Sequence, residues 1–222
     1  MSTQAILFDI NETVLDLSAL RPKFRHYMGS ESHTDTWFAM LLHSSNVCLV
    51  TGINTNFREL ALAALQSIAA RLGKNLSHEN YLDILSTFTS LPAHSDIKPA
   101  LTILRKAGFK LAAFSNSSSE LLKSQLSHSG LLAHFDDVIS VESANTFKPS
   151  ITAYNYAVER LALPPNNIRL VATHDWDTHG ALSAGLKAAY INRLNVPYNP
   201  HYVKPDIAAG NMHDITKQII ER

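Results

Sequence analysis

Ala5-Ile6-Leu7-Phe8 is a short unbroken apolar run that stops at Asp9. A run of that length, closed by a polar residue, suits a strand buried on both faces of a parallel sheet. Similar runs occupy residues 109–114, ending on Ser115-Asn116, and residues 138–141, before Glu142. Two more cover Ile168–Ala172, ending on Thr173-His174-Asp175, and residues 188–191, ending on Asn192. Between them the apolar spacing predicts helices over 97–107, 119–129 and Ile151–Leu161. Gly108 and Gly130 stand where a helix end wants a left-handed residue, and Pro149-Ser150 opens the third helix. Strand and helix alternate from about residue 93 onward, which predicts right-handed βαβ units in an α/β, doubly wound parallel sheet.

Residues 17–92 read differently. Helical spacing runs through Trp37, Phe38, Met40, Leu41 and Leu42, then through Leu60, Leu62, Leu65, Ile68 and Leu72. A third helix, from Tyr81 to residue 88, follows a capping residue at Ser77. No strand-like run interrupts them. The expectation is a core of residues 1–16 and 93–222, carrying an all-helical cap over 17–92 inserted after the first strand.

Composition narrows the class. The 222 residues are 45% hydrophobic and 17% charged, enough for a packed core and contrary to wholesale disorder. Nineteen basic residues balance nineteen acidic ones, which leaves no footprint for bulk nucleic-acid or anionic-membrane binding. One cysteine, Cys48, forbids an intrachain disulfide and a thiolate zinc cluster. Neither a signal peptide nor a membrane span is expected, so the sequence reads as that of a cytoplasmic enzyme. The apolar stretch from Trp37 to Leu42 suits either cap packing or the seam of a homodimer.

Ligands of open α/β sheets bind beyond the carboxyl ends of the strands. Those ends carry Asp9, Ser115-Asn116 and Asp175/Asp177, and Lys148 lies in the loop after the 138–141 run. Polar groups far apart in sequence thus converge on one sheet edge. Neither a Gly-rich phosphate loop nor a histidine pair at metal-binding helical spacing occurs.

In order along the chain, Phe8-Asp9-Ile10-Asn11-Glu12-Thr13-Val14-Leu15-Asp16, Ser115-Asn116-Ser117, Phe147-Lys148-Pro149 and Asp175-Trp176-Asp177-Thr178-His179-Gly180-Ala181 resemble the four motifs of the haloacid dehalogenase superfamily. The likeness is to its type II (S)-2-haloacid dehalogenase branch and covers nearly the whole chain. It implies Asp9 as nucleophile, Lys148 as the cation that keeps it ionised, and Asp177 as activator of a water. Thr13, Ser115 and Asn116 supply donors for a substrate carboxylate or phosphate oxygen. Tyr154 stands where the branch places a tyrosine that helps hold the substrate carboxylate, and His174 where it commonly has asparagine.

Phosphatases of the superfamily carry Asp-x-Asp in the first motif, the second Asp serving as general acid and base. Asn11 stands there and cannot transfer a proton. Their fourth motif supplies a magnesium ligand at the place of Thr173, and hard magnesium sites want carboxylate oxygens. Both departures favour displacement of halide from a short 2-haloacid or similar small carboxylate, with no cofactor. A magnesium-dependent small-metabolite phosphatase and a non-catalytic binding protein are the alternatives. One departure cuts the other way. The branch places an arginine just after a tryptophan early in the cap to receive the halide, and here Phe38 follows Trp37. The two rings would instead form an apolar halide pocket, or Arg21, Lys23, Arg25, His26 or Arg58 would reach the site.

Overall fold

The computed structural model describes residues 3–222. In chain order the elements are β1 (Ala5–Asp9), α1 (Arg21–Met28), α2 (His33–Thr51), α3 (Phe57–Arg71), α4 (His78–Phe88), α5 (Ile97–Lys106), β2 (Lys110–Ser115), α6 (Ser119–His128), β3 (Asp137–Ser140), α7 (Ile151–Leu161), β4 (Ile168–Ala172), α8 (Asp175–Ser183), β5 (Lys187–Ile191), β6 (Ile207–Ala209) and α9 (Met212–Ile220). The strands form one sheet in the order β3-β2-β1-β4-β5-β6, and every pairing is parallel.

All five residues of β1 are buried. Its pleat sends Ile6 and Phe8 into one apolar cluster and Ala5 and Leu7 into the other, so an unbroken apolar run is what the position requires. β1 also stands where the strand order reverses, with β2 on one side and β4, which the chain enters from β3, on the other. The crevice at such a switch point is where α/β sheets bind ligands, and Asp9 is the last residue of β1.

Helices flank the sheet with one buried stripe each. In α5, Ile97, Ala100, Leu101 and Leu104 recur at helical spacing and are buried. Gly108, at φ 90, turns the chain from α5 into β2, a conformation that a side chain would strain. Helices α1–α4 lie between β1 and α5. Their buried residues, among them Trp37, Leu41, Leu65 and Phe88, share one cluster with Ile6 and Phe8 of the sheet. Ser77 closes a reciprocal capping box with Asn80 at the start of α4. Three elements go beyond the sequence expectation, α1, α9 and the three-residue β6. No helix is long and apolar enough to cross a membrane among the described residues.

Candidate active site

Asp9 leaves the end of β1 with its side chain 7% exposed and both oxygens engaged. Oδ1 accepts from the Lys148 ammonium at 2.7 Å. Oδ2 accepts from the Thr13 hydroxyl at 2.7 Å and lies 3.3 Å from His174 Nδ1. Lys148 is itself buried and donates a second bond, at 2.6 Å, to Asp177 Oδ2. The Lys148 backbone N–H donates to Asn116 Oδ1 at 2.9 Å, which ties its loop to the end of β2. Tyr154, on α7, donates to the other Asp177 oxygen at 2.6 Å. One ammonium therefore bridges two buried carboxylates, and a phenol backs the second.

Burial drives the Asp9 carboxyl upward, but Lys148 and His174 outweigh it and hold the group well below the usual carboxylate range. Burial lowers Lys148, and the two aspartates more than restore it, leaving the ammonium above its ordinary value. Asp177 comes out raised: burial dominates, Lys148 opposes it, and the Asp9 charge adds to it. Asp9 is thus held ionised at the cavity, while Asp177 lies fully buried behind Lys148 with its two oxygens committed to Lys148 and Tyr154.

His174 lies at the N-terminus of α8. Its Nε2 is 2.8 Å from Glu12 Oε2. Burial pulls the imidazole down, yet Asp9 and Glu12 push it up to about 10. Nδ1 approaches Asp9 closely enough for an ion pair without an aligned hydrogen bond. The ring packs between Trp176 at 5.1 Å and Phe38 at 6.1 Å.

In front of Asp9 lies a cavity of about 10 Å³, lined by Asn11, Phe38, Ser115, Asn116, Lys148 and His174 with Leu42, Phe57 and Trp176. That is room for a single water. A polar cleft of about 320 Å³ opens beside it and shares Phe57 and Asn116. Asn11 is fixed on both ends of its amide: Nδ2 donates to Ser117 Oγ at 3.2 Å and Oδ1 accepts from Gln125 Nε2 at 3.2 Å.

Several of the expected site residues do not line the cavity. Tyr154 does not line the cavity; it is fully buried behind Asp177 and its hydroxyl is committed there, so it supports a carboxylate of the protein. Thr13 is likewise fully buried, donating to Asp9 and accepting from the Thr173 N–H at 2.9 Å, which leaves its hydroxyl no substrate contact. Trp37 packs inside the helical layer with Nε1 donating to Ala61 O at 2.9 Å, and Trp176 takes its expected place beside Phe38. Arg21, Lys23 and Arg25 pair with Asp35, Asp83 and Glu31 and do not reach the cavity. The sequence reading missed Glu12, Leu42, Phe57 and Trp176. An acid three residues after Asp9 was the available signal for Glu12; the others carry none apart from the fold.

The donors present do not fit a magnesium ion beside Asp9. The ammonium of Lys148 fills the gap between Asp9 and Asp177, Asn11 presents an amide, and Thr173 an unpartnered hydroxyl. Asp175 accepts instead from Trp176 N–H and Asn199 N–H. Among the described residues no group of three or more His, Cys, Asp or Glu is arranged to hold a metal.

A family model for haloacid dehalogenase-like hydrolases matches residues 3–185. An (S)-2-haloacid dehalogenase of Pseudomonas putida is 26% identical over 219 residues, covering 98% of this chain and 96% of its own. The (S)-2-haloacid dehalogenase 1 of Pseudomonas sp. strain CBS-3 is 29% identical over 196 residues, covering 87% and 86%. The solved structure of L-2-haloacid dehalogenase from Xanthobacter autotrophicus, with chloropropionic acid covalently bound, matches with a TM-score of 0.91 at 23% identity over 98% of both chains. At that identity the likeness speaks for the fold. Since the family match runs from β1 into the turn that follows α8, the chain belongs to the haloacid dehalogenase-like hydrolases.

Proposed function

We propose that the protein is a 2-haloacid dehalogenase that works through an ester on Asp9 and needs no metal. The observation that carries this reading is the ionised Asp9 held by Lys148 with a neutral amide, Asn11, two residues on. Halide leaves without a proton, so the reaction has no use for an acid at residue 11. In the first step an Asp9 oxygen attacks C2 of the haloacid from the face opposite the halogen. The C–O bond forms as the carbon–halogen bond breaks, and halide departs with the electron pair. The Asn116 amide and the backbone N–H groups after β2 receive the substrate carboxylate. In the second step water adds to Asp9 Cγ, Asp177 takes its proton and returns it to the departing oxygen of the product. The 2-hydroxyacid carries inverted configuration.

The small cavity admits a three-carbon acid only when the rings of Phe38, Phe57 and Trp176 give way, and the polar cleft next to Phe57 and Asn116 is the route in. The test is chloride release from (S)-2-chloropropionate in the presence of a chelator. Wild type should release chloride and form (R)-lactate, while Asp9→Asn should release none. Absence of release by wild type from mildly acidic to alkaline pH refutes the assignment.

A further inference from the structure

We propose that His174 is a further catalytic residue: gripped by Glu12, its Nδ1–H joins the Thr13 hydroxyl as second donor to Asp9 Oδ2 when that atom becomes the oxyanion of ester hydrolysis. This rests on the dehalogenase reading above.

The geometry divides the two Asp9 oxygens. Oδ1 has Lys148 alone, a cation that keeps it ionised and leaves it to attack. Oδ2 has the Thr13 hydroxyl at 2.7 Å and His174 Nδ1 at 3.3 Å. Once Oδ1 is esterified, Oδ2 is the carbonyl oxygen. Water adds to Cγ, the carbonyl electron pair moves onto Oδ2, and collapse breaks the Cγ–Oδ1 bond to free the hydroxyacid. His174 keeps its proton throughout and contributes only a hydrogen bond.

The Nδ1–H is buried yet has no aligned acceptor in the resting protein, and the His174 side chain is only 10% exposed. A donor that is slightly long and misaligned toward a planar carboxylate, yet close enough to tighten on a tetrahedral oxyanion, favours the transition state over the ground state. Glu12 completes the arrangement. Its Oε2 holds Nε2 at 2.8 Å, and its backbone sits at φ 66, a left-handed conformation that costs energy for a residue with a side chain. That strained turn carries the acid to the imidazole. His94 Nε2 contacts the Glu12 carbonyl at 3.0 Å and Arg193 donates to the Thr13 carbonyl at 2.8 Å, bracing the loop from outside.

The charged groups facing His174 are Asp9 from β1 and Glu12 from the loop after it. Phe38 from α2 and Trp176 from α8 offer rings only. Lys148 binds the other Asp9 oxygen, and Asp175 is committed to backbone N–H groups. Both facing groups are acids, in keeping with an imidazolium pushed up to about 10.

The test is quench-flow with (S)-2-chloropropionate and mass spectrometry of the Asp9 peptide. His174→Gln keeps a donor toward Glu12 but none toward Asp9. It should hydrolyse the Asp9 adduct about 100-fold or more slowly than wild type, so the adduct accumulates. His174→Asn places an amide N–H where Nδ1 was and should recover part of the loss. Glu12→Gln should bring the alkaline fall of the hydrolysis rate to lower pH, because the protonated imidazole loses its holder. Adduct hydrolysis unchanged in His174→Gln, or an alkaline limb unmoved in Glu12→Gln, overturns the role of His174 while leaving the dehalogenase reading intact. A wild type that forms no Asp9 adduct removes both.

Discussion

Replacing Lys148 with methionine isolates the interaction on which the site is built. The ammonium is 2% exposed and touches Asp9 at 2.7 Å and Asp177 at 2.6 Å. Losing it leaves Asp177 buried without a cation and Asp9 with His174 alone. Truncating one member of a buried ion pair costs about 3–5 kcal/mol, a large share of the roughly 5–15 kcal/mol that holds a typical protein folded. For a chain of this size that corresponds to a fall in Tm of roughly 6–20 °C. The sign of the pH dependence follows from the shifts. In wild type the folded Asp9 carboxyl lies below its unfolded value, so its contribution is present above about pH 4 and lost as pH falls further. In Lys148→Met, Asp9 keeps His174 but Asp177 has lost its cation, so burial and repulsion by Asp9 raise Asp177 further, and its contribution is lost as pH rises above about 4. The gap between variant and wild type should therefore be widest near pH 7.5 and narrow toward pH 4.5. Urea unfolding at the two pH values measures it. Adding Asp9→Asn to Lys148→Met should restore about 1–3 kcal/mol at pH 7.5, since the charge that repels Asp177 disappears. A loss under about 1 kcal/mol at both pH values, or a gap that widens on acidification, would refute the reasoning.

Three further outcomes are expected. Tyr154→Phe removes the phenol that donates to Asp177; urea unfolding should show a loss of about 1.5–3 kcal/mol, greater at pH 7.5 than at 4.5 because the phenol serves the ionised acid. Gly180→Ala would place a Cβ 2.8 Å from Pro149 Cβ and against the Tyr154 ring. Its thermal melt should drop by a cost of about 1–3 kcal/mol, whereas Gly210→Ala, which meets open space, should stay within about 0.5 kcal/mol. Gln125→Leu removes the donor shared by Asn11 Oδ1 and the Phe88 carbonyl; denaturant titration should report a loss of about 1–3 kcal/mol from the unsatisfied carbonyl.

The five unbroken apolar runs were legible as strands because a buried parallel strand has no alternation to obscure it. β6 was not: Ile207-Ala208-Ala209 is too short to stand out, and its pairing with β5 is what makes it a strand. Asp9, Lys148 and Asp177 were legible as a group through their motifs, and Ser115, Asn116, Phe38 and His174 through their neighbours in sequence. Thr13 and Tyr154 were legible as site residues but not in their tasks. Whether a hydroxyl serves a substrate or another side chain depends on what stands within 3 Å of it, and no spacing along the chain reports that.

The local order of apolar and polar residues by itself determined the parallel α/β sheet, the helical stretch after β1, and the polar strand ends at one edge. Short-range rules govern those features: pleat, helical period and capping act over a few residues. Only the tertiary structure decided that a lysine 139 residues beyond Asp9 bridges it to Asp177, and that Glu12 grips His174 across 162 residues. It also decided that Trp176 and not Trp37 faces the nucleophile. Those outcomes depend on burial and electrostatics, which act through space between segments that only the packed sheet brings together.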